Sequence, residues 1–334
     1  MLFPWPGRWA TPQPWRGCFL PPSSFLCWCR CAFFARARST MNRGRLALVL
    51  MVLGALVMVY PYAYMVGSSF KTRREFAENK ESLIPPRFQV GQMLAHARGE
   101  DSALDWPGAD WSLGRNYSDA IEFGQIDRYL ANSFIYAVLI TGVQLFFSAL
   151  AAYAFARMEF PGRQALFMLL LATMMVPPAV LLIPNFLVVR ELGLVDTLWG
   201  VLLPSFAGPF GIFLLRQFFL NIPVELEHAA RIDGCASWGI FWNVILPLSR
   251  PALITLGLFT FMGAWNMFEW PLVVLSNQDY YPLTVGLSFF RSETGADWPR
   301  VFAASVMGAL PLIGVFLAAQ RYLVGGISLS GMKG

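Results

Sequence analysis

Residues Glu225–Leu248 read ELEHAARIDGCASWGIFWNVILPL. They lie between two apolar runs, Thr197–Leu215 and Pro251–Phe268. The stretch is too long and too charged for a simple turn. Val224–Ile232, with Glu225, Glu227, His228, Ala229, Ala230 and Arg231, reads as one short helix. Ser237–Ile245 reads as a second, apolar over Trp238, Ile240, Phe241, Trp242 and Ile245. Asp233-Gly234 separates them, because glycine adopts a positive φ at little cost. Ser237 stands where a helix N-cap is expected. Pro247 and Pro251 mark the return of the chain into apolar sequence. The small residues of the first helix let another chain's backbone approach closely. The alternative is a helix lying at lipid headgroups without a partner.

Outward from this stretch the chain is apolar. Of 334 residues 56% are hydrophobic and 13% charged, against about 25% charged in a soluble domain. Uncharged runs recur at Leu46–Phe70, Ala131–Phe155, Gln164–Val189, Thr197–Leu215, Pro251–Phe268 and Val301–Gln320. Each is near or above the roughly 20 residues a helix needs to cross about 30 Å of hydrocarbon. The pattern predicts an all-α polytopic membrane protein with six transmembrane helices. The spans are expected at 46–70, 131–155, 164–189, 197–215, 251–276 and 301–320, with an external loop at 71–130 and a cytoplasmic loop at 221–250. A soluble fold with one large core is excluded.

Residues 1–40 read differently. They hold four of the five cysteines, five basic residues and no acid. Their C-x-C-x-C spacing is not that of a zinc site, and they lack the apolar core and cleavage site of a signal peptide. The expectation is a non-native or disordered extension, with Met41 as the start. Residues 41–334 then carry 20 basic and 20 acidic groups, so the overall charge does not point to nucleic acid. Cys235 reads as a small packing residue.

Arginines set the orientation. Arg43 and Arg45 precede the first run, Arg157 and Arg163 bracket the link after the second, and Arg216, Arg231 and Arg250 surround the quoted stretch. Arg321 and Lys333 follow the last run. All fall on one side if both termini are cytoplasmic in the inner membrane, as the positive-inside rule favours.

The stretch His228-Ala229-Ala230-Arg231-Ile232-Asp233-Gly234-Cys235, followed by Ile245-Leu246-Pro247, resembles the EAA loop of ATP-binding-cassette (ABC) importer permeases. Three further stretches are similar to the carbohydrate-uptake branch, in particular to the second permease of the maltose importer. They are YPYAYMVGSSFKT, PALITLGLFTFMGAWNMFEWPLVVLS and RYLVGGISLSGMKG. The resemblance covers residues 41–334 and implies the type I importer permease fold. It implies that the loop is a coupling helix docked on a cytoplasmic ATPase, with Glu227, His228, Ala229, Ala230, Asp233 and Gly234 as docking residues. It further implies two ATPase subunits that hold ATP and Mg, a second permease subunit and an external substrate-binding protein. The cargo is expected to be a sugar or a related solute such as a glycerol phosphate.

Two departures from the family pattern stand out. His228 replaces the acid that opens the motif, so a salt bridge from that position to an ATPase cation is not expected when the ring is neutral. Glu227 is adjacent but about 100° around the helix, a partial substitute only. In Trp265-Asn266-Met267-Phe268-Glu269-Trp270-Pro271 the family's acid is missing at 267 and one appears at 269. On an unbroken helix Glu269 would stand about 27 Å beyond Pro251, near the outer interface. A pathway-lining role is the other reading, because an intramembrane acid is costly. Asn266 is the better candidate to line the route or bond a neighbouring helix.

Pro177, Pro178, Pro184, Pro204 and Pro209 are expected to bend or interrupt the third and fourth spans. Residues 87–128 read as a loop or small cap near the binding-protein dock. No Walker loop, nucleophile–base set or metal cluster is present in the sequence. The chain is therefore expected to be no enzyme and to bind no cofactor itself. The competing class is an ATPase-independent channel or ion-coupled transporter, which calls for midplane charges and no docking loop.

Overall fold

The computed structural model describes residues 40–83, 85, 114–206, 208–293 and 297–328, and the regular structure among them is helical throughout. The chain divides into two compact units, Met1–Tyr62 and Ala63–Gly334. Of the first, only the part of helix α1 (Thr40–Ser69) from Thr40 onward is described, and its side chains from Ala47 to Tyr62 are exposed. The expectation for residues 1–40 lies outside the described residues, apart from Thr40 itself.

The second unit continues through short helices α2 (Arg73–Glu78) and α3 (Arg115–Glu122) into α4 (Ile126–Arg157). Residues 87–113 of the expected external cap lie outside the described residues. Next come α5 (Arg163–Thr173), α6 (Pro178–Glu191), α7 (Leu198–Ser205) and α8 (Pro209–Leu220). The quoted stretch forms α9 (Val224–Ile232) and α10 (Ser237–Leu248). The chain closes with α11 (Arg250–Trp265), α12 (Glu269–Val274), α13 (Leu283–Glu293) and α14 (Trp298–Ser328).

Three stretches are long and apolar enough to cross a bilayer unaided: Ala47–Ser69, Ile126–Arg157 and Trp298–Gln320. The third expected span is broken, with α5 and α6 meeting at 103°. The fourth bends by 44° between α7 and α8. The reason is local. Pro178 and Pro209 open α6 and α8 at positions where no intrahelical N–H is needed. Each also pushes the residue before it out of the helical region. The fifth expected span, 251–276, is not one helix: α11 turns 77° from α10 at Ser249 and ends at Trp265. The count reaches six only if each bent pair is one span.

Helix α4 is the axis of the second unit, with α8 and α11 packed along it and α14 against α11. Its 32 residues reach about 48 Å, well beyond the hydrocarbon thickness of about 30 Å. Close approach relies on small side chains. Ala149, Ala152 and Ala156 of α4 are buried with Leu215 and Phe219 of α8. At Gly211 a Cβ would meet Ser148 Oγ at 2.8 Å and Leu256 Cδ2 at 3.1 Å. Only glycine allows these helices to touch there.

At the start of α4, Arg128 ion-pairs with Asp279, and Asn132 Nδ2 donates to the Asp279 and Tyr281 carbonyls at 2.8 and 3.0 Å. The segment after α1 is pinned at Lys71, whose buried Nζ donates to the Asn79 and Ser82 carbonyls at 3.0 and 2.5 Å. Burial holds the Lys71 ammonium below its usual range, and nearby Glu75 offsets part of that. A capping box starts α2: Thr72 Oγ1 accepts from Glu75 N–H at 3.2 Å, and Glu75 Oε2 from Thr72 N–H at 2.7 Å.

Candidate functional site

Helix α9 begins after Pro223 and carries Glu225 and Glu227 in its first turn and Arg231 in its last, as the helix dipole favours. It ends in a Schellman motif. Cys235 N–H donates to the Ala230 carbonyl at 2.9 Å and Gly234 N–H to the Arg231 carbonyl at 3.0 Å. Gly234 holds φ at +88°, and no atom lies within 4 Å of a Cβ built there. Conformation, not space, demands glycine at this position. Ala230 and Cys235, the two positions that pack together in such a motif, both lie against one core cluster.

Helix α10 adds Ile240, Phe241 and Ile245 to that cluster, buried against Tyr153 and Ala156 of α4 and Leu215 and Phe219 of α8. The rings of Tyr153 and Phe241 sit 5.3 Å apart. A π turn over Phe241–Ile245 interrupts α10. Ser237 is not a cap. The N-cap is Ala236, extended at ψ 164°, and Ser237 is the first helical residue. The expectation confused two adjacent positions that both favour small polar residues.

His228, Ala229, Asp233 and Gly234 are exposed and Ala230 is half-buried. Beside them Ile232 is 87% exposed and Trp238 57%. Glu227 departs from the expected docking face. It is buried, and its Oε1 lies 2.7 Å from Arg157 Nε at the end of α4. Arg157 was placed in the sequence as a topology marker only. Its Nη2 also donates to the Phe219 and Ile222 carbonyls at 2.8 and 2.5 Å.

The other predicted pair lies where α11 stops. Asn266 caps the C-terminus of α11, and its Nδ2 donates to the Met262 carbonyl of the same helix at 2.8 Å rather than to a neighbouring helix. Glu269 starts α12 after a break, so its expected height on an unbroken helix does not hold. Thr284 Oγ1 donates to the Met267 carbonyl, just ahead of α12, at 2.5 Å. Asn266 and Glu269 come together on one cavity of about 710 Å³, lined also by Gln144, Ser205, Thr260 and the aromatic Phe259, Phe268 and Trp270. Gln144, Ser205 and Thr260 were missed in the sequence. Single polar residues in apolar runs carry no signal of direction.

The geometry is thus a helical bundle with an exposed helix–turn–helix bound to one end of α4 and a cavity of mixed polar and apolar lining along its side. The fold is shared with known transporters. A bacterial ABC transporter involved in the import of the acidic polysaccharide alginate matches with TM-score 0.69 and 26% identity, over 85% of this chain and 98% of that one. A bacterial alginate ABC transporter in complex with alginate pentasaccharide-bound periplasmic protein is alike in fold alone, at 0.53 and 14% over 85% and 95%.

Residues 144–328 match the family described as binding-protein-dependent transport system inner membrane component, and the chain belongs to that family. It is an ABC importer permease subunit and an inner-membrane component of a transport system. The arabinooligosaccharides transport system permease protein AraQ of Halalkalibacterium halodurans is 37% identical over 213 residues, 64% of this chain and 76% of that protein. The probable ABC transporter permease protein YurM of Bacillus subtilis is 34% identical over 288 residues, 86% and 87%. The sn-glycerol-3-phosphate transport system permease protein UgpE of Yersinia enterocolitica is 33% identical over 282 residues, 84% and 94%.

Proposed function

We propose that this chain forms half of the translocation pathway for a sugar or a related polyhydroxylated solute. Movement along that pathway is driven by ATP hydrolysis on a partner. The observation that carries the reading is the helix α9–Gly234–α10 unit. It is rigidly closed by its Schellman motif and presents Ile232 and Trp238 outward beside His228, Ala229 and Asp233. An exposed apolar residue at a stiff turn fits a groove on another protein. That protein is an ATPase subunit carrying ATP and Mg, two copies per importer. With His228 at the motif's opening, apolar contact from Ile232 and Trp238 takes the larger share of docking. Both termini and this unit are then cytoplasmic.

The cavity supports the cargo class. Gln144, Ser205, Thr260 and Asn266 offer hydrogen-bonding groups suited to hydroxyls, and Trp270, Phe259 and Phe268 offer apolar faces suited to sugar rings. The relatives named for arabinooligosaccharides point the same way. A second permease subunit completes the pathway and an external binding protein delivers the cargo. The test is co-purification. A tagged chain, gently solubilised from native membranes, is expected to bring down an ATPase subunit and a different permease, identified by mass spectrometry. Recovery of the chain alone in mild detergent would move the reading to an ATPase-independent transporter.

A further inference from the structure

We propose that Arg157 and Glu227 are the joint through which the docking unit moves the cavity wall, a positioning role that rests on the function proposed above. Arg157 is the last residue of α4, and Glu227 sits in the first turn of α9. Their side chains are 9% and 4% exposed and meet at 2.7 Å. The same guanidinium holds two carbonyls, Phe219 at the end of α8 and Ile222 just beyond it. The binding is returned from the other side. Arg216 of α8 donates through Nε to the Phe155 carbonyl of α4 at 3.1 Å, and its guanidinium lies 4.1 Å over the Phe167 ring of α5. Four helices are therefore tied at one corner by two arginines.

Packing alone does not call for this arrangement. Replacing a buried ion pair with apolar side chains of similar size is often neutral or stabilising. What the pair adds is a close contact of opposite charges that holds α9 against the end of α4. Helix α4 then carries any displacement inward. Gln144 and Ile140 line the cavity, about 20 and 26 Å along the same helix from Arg157. A push on α9 thus reaches the cavity wall through one continuous helix, with no loop between to absorb it. The tie also accounts for the inward turn of Glu227, which leaves His228 and not Glu227 on the exposed face.

The experiment uses the whole importer, purified with its ATPase, second permease and co-purified binding protein. Variants are E227Q, which keeps the shape, and R157M/E227M, which keeps an apolar fill. Spin labels at exposed Glu225 and Met158 read the distance between α9 and the end of α4. In the wild type the distance distribution is expected to stay narrow and unchanged on trapping with ATP, Mg and vanadate. In both variants the complex is expected to assemble and to keep its basal ATP hydrolysis. The distance broadens and shifts with nucleotide, and stimulation by the binding protein falls about tenfold or more, the size of an ordinary coupling free energy. Normal stimulation and a narrow distance in R157M/E227M would overturn the proposal. So would loss of assembly in both variants, since the pair would then serve folding alone. A wild-type complex that contains no ATPase fails the functional reading instead, and separately.

Discussion

Gly234 is the residue whose chemistry is most constrained by what surrounds it in sequence rather than in space. Its φ of +88° costs a residue with a Cβ about 1–2 kcal/mol, and a β-branched one more. Gly234→Val is therefore expected to leave the chain in the membrane while it loosens the α9–α10 turn. ATP hydrolysis by the assembled importer should continue while uptake of the cargo falls, and assays of both in one vesicle preparation check this. Normal uptake would remove the role assigned to the turn. Ser237 provides the contrast. Because Ala236 is the N-cap, Ser237→Ala is expected to change stability by less than about 0.5 kcal/mol. Thr72→Ala, which dismantles a real capping box, is expected to cost about 1 kcal/mol. Thermal unfolding of the two variants in the same detergent separates them. The Gly234 turn was readable because a single residue type reports a backbone angle. Serine at the first helical position and serine at the cap look alike in sequence, and only the extended ψ of Ala236 tells them apart. The inward turn of Glu227 was half readable. Its angular offset from His228 follows from helix geometry, but the partner that draws it inward lies 70 positions away in the chain.

The elements most altered from expectation are those that proline edits. Runs of apolar residues marked three helices long and apolar enough to cross a bilayer unaided, since burial in lipid acts on composition. They did not show that α5 and α6 meet at 103° or that α11 stops at Trp265. Proline marks where a helix is free to break, while neighbouring helices decide by how much. The break before α12 makes this testable. Thr284 holds the Met267 carbonyl, which lies ahead of the N-cap of α12, so Thr284→Val strands it. The expected loss is about 1 kcal/mol, within the range for polar contacts inside membrane proteins, read from thermal unfolding in detergent. An unchanged unfolding temperature would mean that the Thr284 hydroxyl serves something else. Asn266 and Glu269, set beside that break, came to line a cavity only once α4, α7, α8, α11 and α12 were placed around them.

The whole molecule is scaled by α4. Two ion pairs stand at its ends, Arg128 with Asp279 near the first turn and Arg157 with Glu227 at the last residue. They are separated by about 44 Å along the helix, more than the hydrocarbon of a bilayer. Asp279 and the α9–α10 unit are then expected on opposite faces of the membrane. Single cysteines placed at Glu225 and at Gln278, in a chain with its native cysteines replaced, test this with an impermeant thiol reagent. Position 278 should label from outside in intact cells and position 225 only in inverted vesicles. Labelling of both from one face would reject the topology. The length of α4 has a further meaning. At a tilt of about 20° it still projects some 45 Å across the membrane, roughly 15 Å more than the oily layer needs. A helix with that much overhang is a poor gauge of bilayer thickness. When the lipid thins or thickens, the waterline slides along a shaft whose two ends stay clamped. The distance between the two ends of α4 is thus set by the protein, and is expected to hold in membranes of unequal depth.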